Sequence, residues 1–243
     1  MTGEITTCFY KDFKFYFQSR MIYLVLFIYT AMSAGIPFYA SDFYNDTTVN
    51  LYQFFRFQPS IMAMIIPALT MRLWADEDKY NTLEVLLSQP ISYVSVVWGK
   101  FLAAWAVVGI MLVASMGFWL IVSLMVPLDN WWVLSNYLIT FLMAGSLCAI
   151  SSLAACLCYN ALGAFLAALA ACVVITTASF GSWTARLVPE SIVMAKLTKA
   201  FDFSRQFNDM IMGQVGAAPI IYFVLLAIAA LWLSAAAVEY KRS

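Results

Sequence analysis

The chain has 243 residues, of which 64% are apolar and 11% charged, and it is formally neutral; a soluble domain carries about 25% charged residues. So much apolar sequence makes a bilayer the expected solvent, and a zero net charge argues against nucleic acid, whose phosphates call for a Lys/Arg excess. There is no histidine, which excludes bis-His haem ligation, a Ser-His intramembrane protease and an HExxH zinc site.

At the N-terminus, Ile5, Phe9, Phe13 and Phe17 recur every four residues, while Lys11, Lys14 and Gln18 lie elsewhere on the helical wheel. This spacing predicts an interfacial amphipathic helix over 5–20. A cleavable signal peptide, with Ser33-Ala34-Gly35 as its small residues, is the rival reading. About 20 patterned residues ahead of the apolar run speak against it.

A spanning helix needs about 20 mostly apolar residues. The chain predicts spans near 21–41, 54–73, 100–127, 135–158, 162–181 and 215–238. The second is bounded by Arg56 and Arg72, whose side chains can snorkel, and Pro67 within it predicts a kink. Asn130 to Ala185 contains no Asp, Glu, Lys or Arg. As one helix it would reach about 84 Å, against a hydrocarbon core of roughly 30 Å, so it must fold back. Tyr159-Asn160-Ala161-Leu162-Gly163 is the turn candidate.

Six spans put both termini on one side. Lys11, Lys14, Arg20, Lys241 and Arg242 argue that this side is cytoplasmic. Small residues dominate 144–172 and favour close helix approach; Ser146, Ser151, Ser152, Thr176 and Thr177 read as helix-packing residues. No Asp or Glu falls in the middle of a span, which argues against a proton relay. Cys8, Cys148, Cys156, Cys158 and Cys172 lack CxxC spacing. They read as buried free thiols, with a soft-metal pathway as the alternative.

Asp76, Glu77, Asp78, Lys79 and Glu84 concentrate charge in the connection between spans two and three. Residues 74–92 form the one cytoplasmic connection of any length. Thr82-Leu83-Glu84-Val85-Leu86-Leu87 predicts a short helix that Pro90 ends, after which Ser92 can cap the helix leading into span three. Carboxylates and leucines displayed together suit docking on a soluble protein. The Gly99-Lys100 pair is followed by Phe101 and has no glycine five residues upstream, so it is no nucleotide-cradling loop. Any ATP-driven motor has to come from another subunit.

On the outer side, Pro189 can open a helix. Val193, Leu197, Ala200, Phe201, Phe207 and Ile211 share one face of its wheel, opposite Lys199, Asp202, Arg205 and Asp209. Residues 186–212 therefore predict an amphipathic extracytoplasmic helix, broken near Phe203-Ser204. It reads either as a surface loop helix or as a gate or partner surface built on Val193, Leu197, Phe201, Phe203 and Phe207.

Glu77, the run Asn81-Thr82-Leu83-Glu84-Val85-Leu86-Leu87, Pro90-Ile91-Ser92 and Gly99-Lys100-Phe101-Leu102-Ala103 together resemble the signature of type 2 ATP-binding-cassette (ABC) permeases. Phe201-Asp202-Phe203-Ser204-Arg205-Gln206-Phe207 and the Glu239-Tyr240-Lys241-Arg242 tail are most similar to the gliding-motility-associated branch. One departure is Asn81, where the family usually has glycine. The resemblance implies an all-α polytopic permease domain of six transmembrane helices in a bacterial inner membrane. It implies that residues 74–92 are a coupling helix docking on a separate ABC ATPase through Glu77, Asn81, Thr82, Leu83, Glu84, Leu86, Leu87 and Pro90. It also implies two ATPase copies that carry the ATP and Mg, a second permease as homo- or heterodimer partner, and a membrane subunit with a large extracytoplasmic domain. No catalytic, cofactor or metal residue is expected in this chain itself. A non-transporting scaffold that passes ATPase motion to an extracytoplasmic partner is the alternative function.

Overall fold

Ser19 interrupts the N-terminal helical sequence and turns it through 77°. Its amide donates to the Phe15 and Tyr16 carbonyls, closing one helix, while its hydroxyl accepts from the Met21 amide at 3.4 Å and caps the next. The computed structural model describes residues 2–40, 51–79, 93–125, 129–158, 160–177, 202–213 and 216–242. Among these residues all regular structure is helical: α1 (Thr2–Gln18), α2 (Arg20–Ala40), α3 (Tyr52–Lys79), α4 (Tyr93–Met125), α5 (Asn130–Cys156), α6 (Ala161–Thr177), α7 (Phe203–Ile211) and α8 (Ala217–Arg242).

Among the described residues, four helices are long and apolar enough to cross a membrane: Tyr52–Trp74 within α3, Tyr93–Leu124 within α4, α5 (Asn130–Cys156), and Ala217–Tyr240 within α8. The bent pair α1 and α2 raises the number to five at most. With 17 residues, α6 extends about 26 Å, just under the thickness of the hydrocarbon core. Against the six spans expected from the sequence, the described helices give four, or five with the bent pair counted together, and α6 is a shorter apolar helix. α3 runs as one helix through Pro59 and Pro67 and carries on past the span into Ala75–Lys79.

α3 and α5 are the inner pair, with 67% and 72% of their most apolar windows buried, against 33% for α4 and 28% for α8. α5 packs on both α3 and α8, and α6 lies against α3 and α5. The α5–α6 turn falls where the sequence places it: α5 ends at Cys156, and Asn160 Oδ1 accepts from the Leu162 amide at the start of α6. Small residues do bring helices together in the 144–172 stretch. A side chain at Gly145 would meet the indole of Trp105, whose Nε1 donates to Phe141 O at 2.9 Å and whose ring stacks on Phe141 at 4.5 Å.

α1 lies against α4. Its deepest residues are Cys8, Asp12 and Tyr16, one every helical turn. Phe9, Phe13 and Phe17 flank that face half-buried and follow one another at 5.5 and 5.0 Å. At its centre α4 presents Gly99, where an added Cβ would lie 2.6 Å from the Cβ of Cys8 and 3.3 Å from the Ile5 carbonyl. Only a glycine allows the two backbones to come this close.

Candidate coupling junction

α3 ends at Lys79 and α4 begins at Tyr93, and the 69–74 stretch of the one meets Lys100 of the other in one polar junction. Lys100, in the second turn of α4, is 1% exposed. A buried ammonium is costly unless it is paired and hydrogen-bonded, and this one is both. Its Nζ donates to Leu73 O at 2.6 Å, lies 3.7 Å from Asp12 Oδ2 and sits 5.2 Å from the centre of the Trp74 ring. Asp12 is itself 5% exposed, with the exposed Lys11 as a second cation 3.8 Å away.

Further bonds extend the junction into α5 and along α1. Trp74 Nε1 donates to Ser152 Oγ at 3.0 Å, and the Thr70 and Ser151 hydroxyls share a hydrogen bond. Tyr16 OH donates to Leu69 O at 2.9 Å. Ser95 Oγ donates to Glu4 Oε2 at 3.0 Å, and Arg72 donates to Ser19 Oγ at 3.0 Å. Residues 69–74 of α3 are thereby bonded to α1, α4 and α5 together.

Of the docking residues named from the sequence, Glu77 falls in the last turns of α3. Asn81, Thr82, Leu83, Glu84, Leu86, Leu87 and Pro90 lie outside the described residues, as does Ser92; α4 begins at the next residue, Tyr93. Val193, Leu197 and Phe201 are also outside them.

Phe203 and Phe207 belong to α7 and are buried at 1% and 0% exposure. Asp202, in extended backbone, caps this helix through the Arg205 amide at 3.2 Å, at the place where a break was expected. The Phe203 ring meets Phe223 of α8 edge-on at 5.1 Å, and Trp132 Nε1 donates to Ile211 O at 3.1 Å. Trp132 also meets Phe55 of α3 edge-on at 5.7 Å.

Sequence reasoning passed over the buried partners. Lys100 was visible in the Gly-Lys-Phe-Leu-Ala motif, but nothing in its neighbourhood indicates a carboxylate 88 positions upstream. The available signal was the Cys8-Asp12-Tyr16 spacing, which puts a charge on the same helical face as two packing residues. Gln58 and Asn136, at 0% and 1% exposure, were missed as well. Gln58 Oε1 accepts from Tyr29 OH at 3.2 Å, while Gln58 Nε2 and Asn136 Nδ2 have no acceptor among the described residues. The five cysteines are free thiols, four of them buried, and no cluster of three or more metal-ligating side chains occurs among the described residues.

A family model described as ABC-2 family transporter protein matches residues 7–210. No curated protein matches the chain.

Proposed function

The chain belongs to the ABC-2 transporter family and is a multi-pass membrane permease component that works with an ABC ATPase, and from this premise we propose that residues 74–92 are the point where the ATPase drives it. The observation that carries the reading is the bond from Lys100 to Leu73 O. It ties the outgoing and returning helices at the base of the segment, so a push on the segment moves α3 and α4 as one body. Trp74 and Ser152 extend that body to α5. Closure of two ATPase copies on ATP and Mg would then rock two such bundles, one from each of two permeases, with six spans per chain and both termini on the cytoplasmic face of a bacterial inner membrane. Glu77, Asn81, Thr82, Leu83, Glu84, Leu86, Leu87 and Pro90 form the docking surface. The gliding-motility-associated branch supplies the expectation of a further membrane subunit with a large extracytoplasmic domain, and export is the direction proposed.

The experiment is co-reconstitution of the permease with its ATPase in vesicles. Glu84→Arg is expected to abolish permease-dependent stimulation of ATP hydrolysis while leaving membrane insertion intact; unchanged stimulation would overturn the docking assignment.

A second reading, transmission of force without transport, draws on one further observation. Trp132 meets Phe55 on α3 and is bonded to Ile211 at the end of α7. Movement of α3 at the docking end would thus have a route to α7, whose Phe203 and Phe207 are buried in the bundle and so pass on motion rather than offer a surface, which leaves Val193, Leu197 and Phe201 as the proposed gate or partner surface. A stable extracytoplasmic partner with no flux in vesicles would favour this reading; vectorial movement of a lipid or metal would favour the permease.

A further inference from the structure

Outside the junction, a shallow groove runs along the elbow between α1 and α2, with the end of α3 as its far wall. It is an open depression, not an enclosed cavity. Phe15, Ile22, Val25 and Leu69 line it with hydrocarbon, and Ser19 and Arg72 form its polar edge. Phe15 is 45% exposed, so the groove opens to the surroundings of the bundle.

Two cations stand at neighbouring positions of the bundle and are treated differently. Lys100 is enclosed and has its own carboxylate in Asp12. Arg72 is half-buried and makes one hydrogen bond, to the neutral hydroxyl of Ser19. No carboxylate lies within ion-pairing distance of Arg72 among the described residues. A guanidinium has five donors in a planar fork matched to phosphate, and among the described residues Ser19 is the acceptor it meets. The exposed Arg20 follows Ser19 directly and adds a second positive charge at the elbow.

We propose that this groove is a binding site for an anionic phospholipid of the leaflet that faces α1. One acyl chain lies along Phe15, Ile22, Val25 and Leu69, and the phosphate is held by Arg72 and Arg20. Charge complementarity selects the occupant: hydrocarbon walls take a chain, and a guanidinium at the edge takes the anion beside it. Because α1 rests on Gly99 and Asp12 is its link to Lys100, a lipid seated here touches the same elbow that braces the junction.

The test uses the full-length chain in phosphatidylcholine nanodiscs doped with phosphatidylglycerol bearing a photoreactive acyl chain, and adducts are mapped by mass spectrometry. Adducts are expected at 15–25 and 68–73, at least fivefold above those from the same probe on phosphatidylcholine. Arg72→Gln is expected to remove the excess and Arg72→Lys to keep about half of it, with labelling of the outer face of α8 unchanged. Val25→Trp, which fills the groove and leaves both arginines in place, is expected to lose the adducts too, and serves if the arginine variant fails to fold. Equal labelling by the two lipids would overturn the proposal, and would be the result if the acidic run 76–84 of the chain itself neutralised Arg72. So would undiminished phosphatidylglycerol labelling in Arg72→Gln or in Val25→Trp. The readout needs no ATPase, so it stands or falls separately from the docking assignment.

Discussion

Lys100 Nζ and Leu73 O are 2.6 Å apart, so α3 and α4, the helices on either side of residues 80–92, are fastened to each other inside the protein. The ammonium is held there by Asp12 from α1, which makes the N-terminal helix a structural part of the junction.

Breaking this pair on one side leaves the other charge buried. Lys100→Met is expected to destabilise the protein by about 3 kcal/mol, the lower end of the usual cost of stranding a buried ion, because Lys11 remains as a weak partner for Asp12. The double variant Lys100→Met with Asp12→Leu should recover most of that loss, since no charge is then left unpaired. Denaturant unfolding in detergent, followed by circular dichroism, measures both. A double variant as unstable as the single would show that the pair is not the source of the effect.

The closeness of α1 and α4 gives a second prediction. Gly99→Ala places a methyl group 2.6 Å from Cys8 Cβ, and overpacking of this kind costs about 1–3 kcal/mol. Cys8→Gly removes the colliding atom at a cost of about 1 kcal/mol in helix propensity. The two changes together should be less destabilising than their sum by at least about 1 kcal/mol. Strict additivity in the thermal unfolding of the four proteins would place the collision elsewhere.

Trp132 supplies a hydrogen bond that helps to hold α7 to the bundle. Trp132→Phe keeps an aromatic ring beside Phe55 but loses the bond to Ile211 O, a loss of about 1 kcal/mol. Amide exchange across Phe203–Ile211 should then accelerate about fivefold, with the α3 and α5 amides unaffected. Exchange that speeds up everywhere would indicate global destabilisation instead.

Gln58 has an amide donor with no acceptor among the described residues, in a fully buried position. An unsatisfied buried polar group costs about 1–3 kcal/mol. Gln58→Met should leave stability unchanged or raise it by about 1 kcal/mol, with the lost bond from Tyr29 limiting the gain. A loss of more than 1 kcal/mol in the same unfolding assay would show that the amide is satisfied in the membrane.

The sequence by itself determined the solvent and most of the architecture. Runs free of charge placed α3, α4, α5 and α8 in their spans, because burying an ion in hydrocarbon is too costly to leave the choice open. It also located the turn at Asn160, where local capping chemistry decides. The motif around Gly99-Lys100 was equally visible, but its purpose was not. A glycine needs a reason only when another backbone comes within reach, and a lysine has a partner only when the fold brings one. The approach of α1 to α4, and with it the Asp12–Lys100–Leu73 arrangement, was decided by tertiary packing between residues far apart in the chain. The same packing separated Arg72 from Lys100: one cation was enclosed with a carboxylate, and the other was left at the edge of an apolar groove.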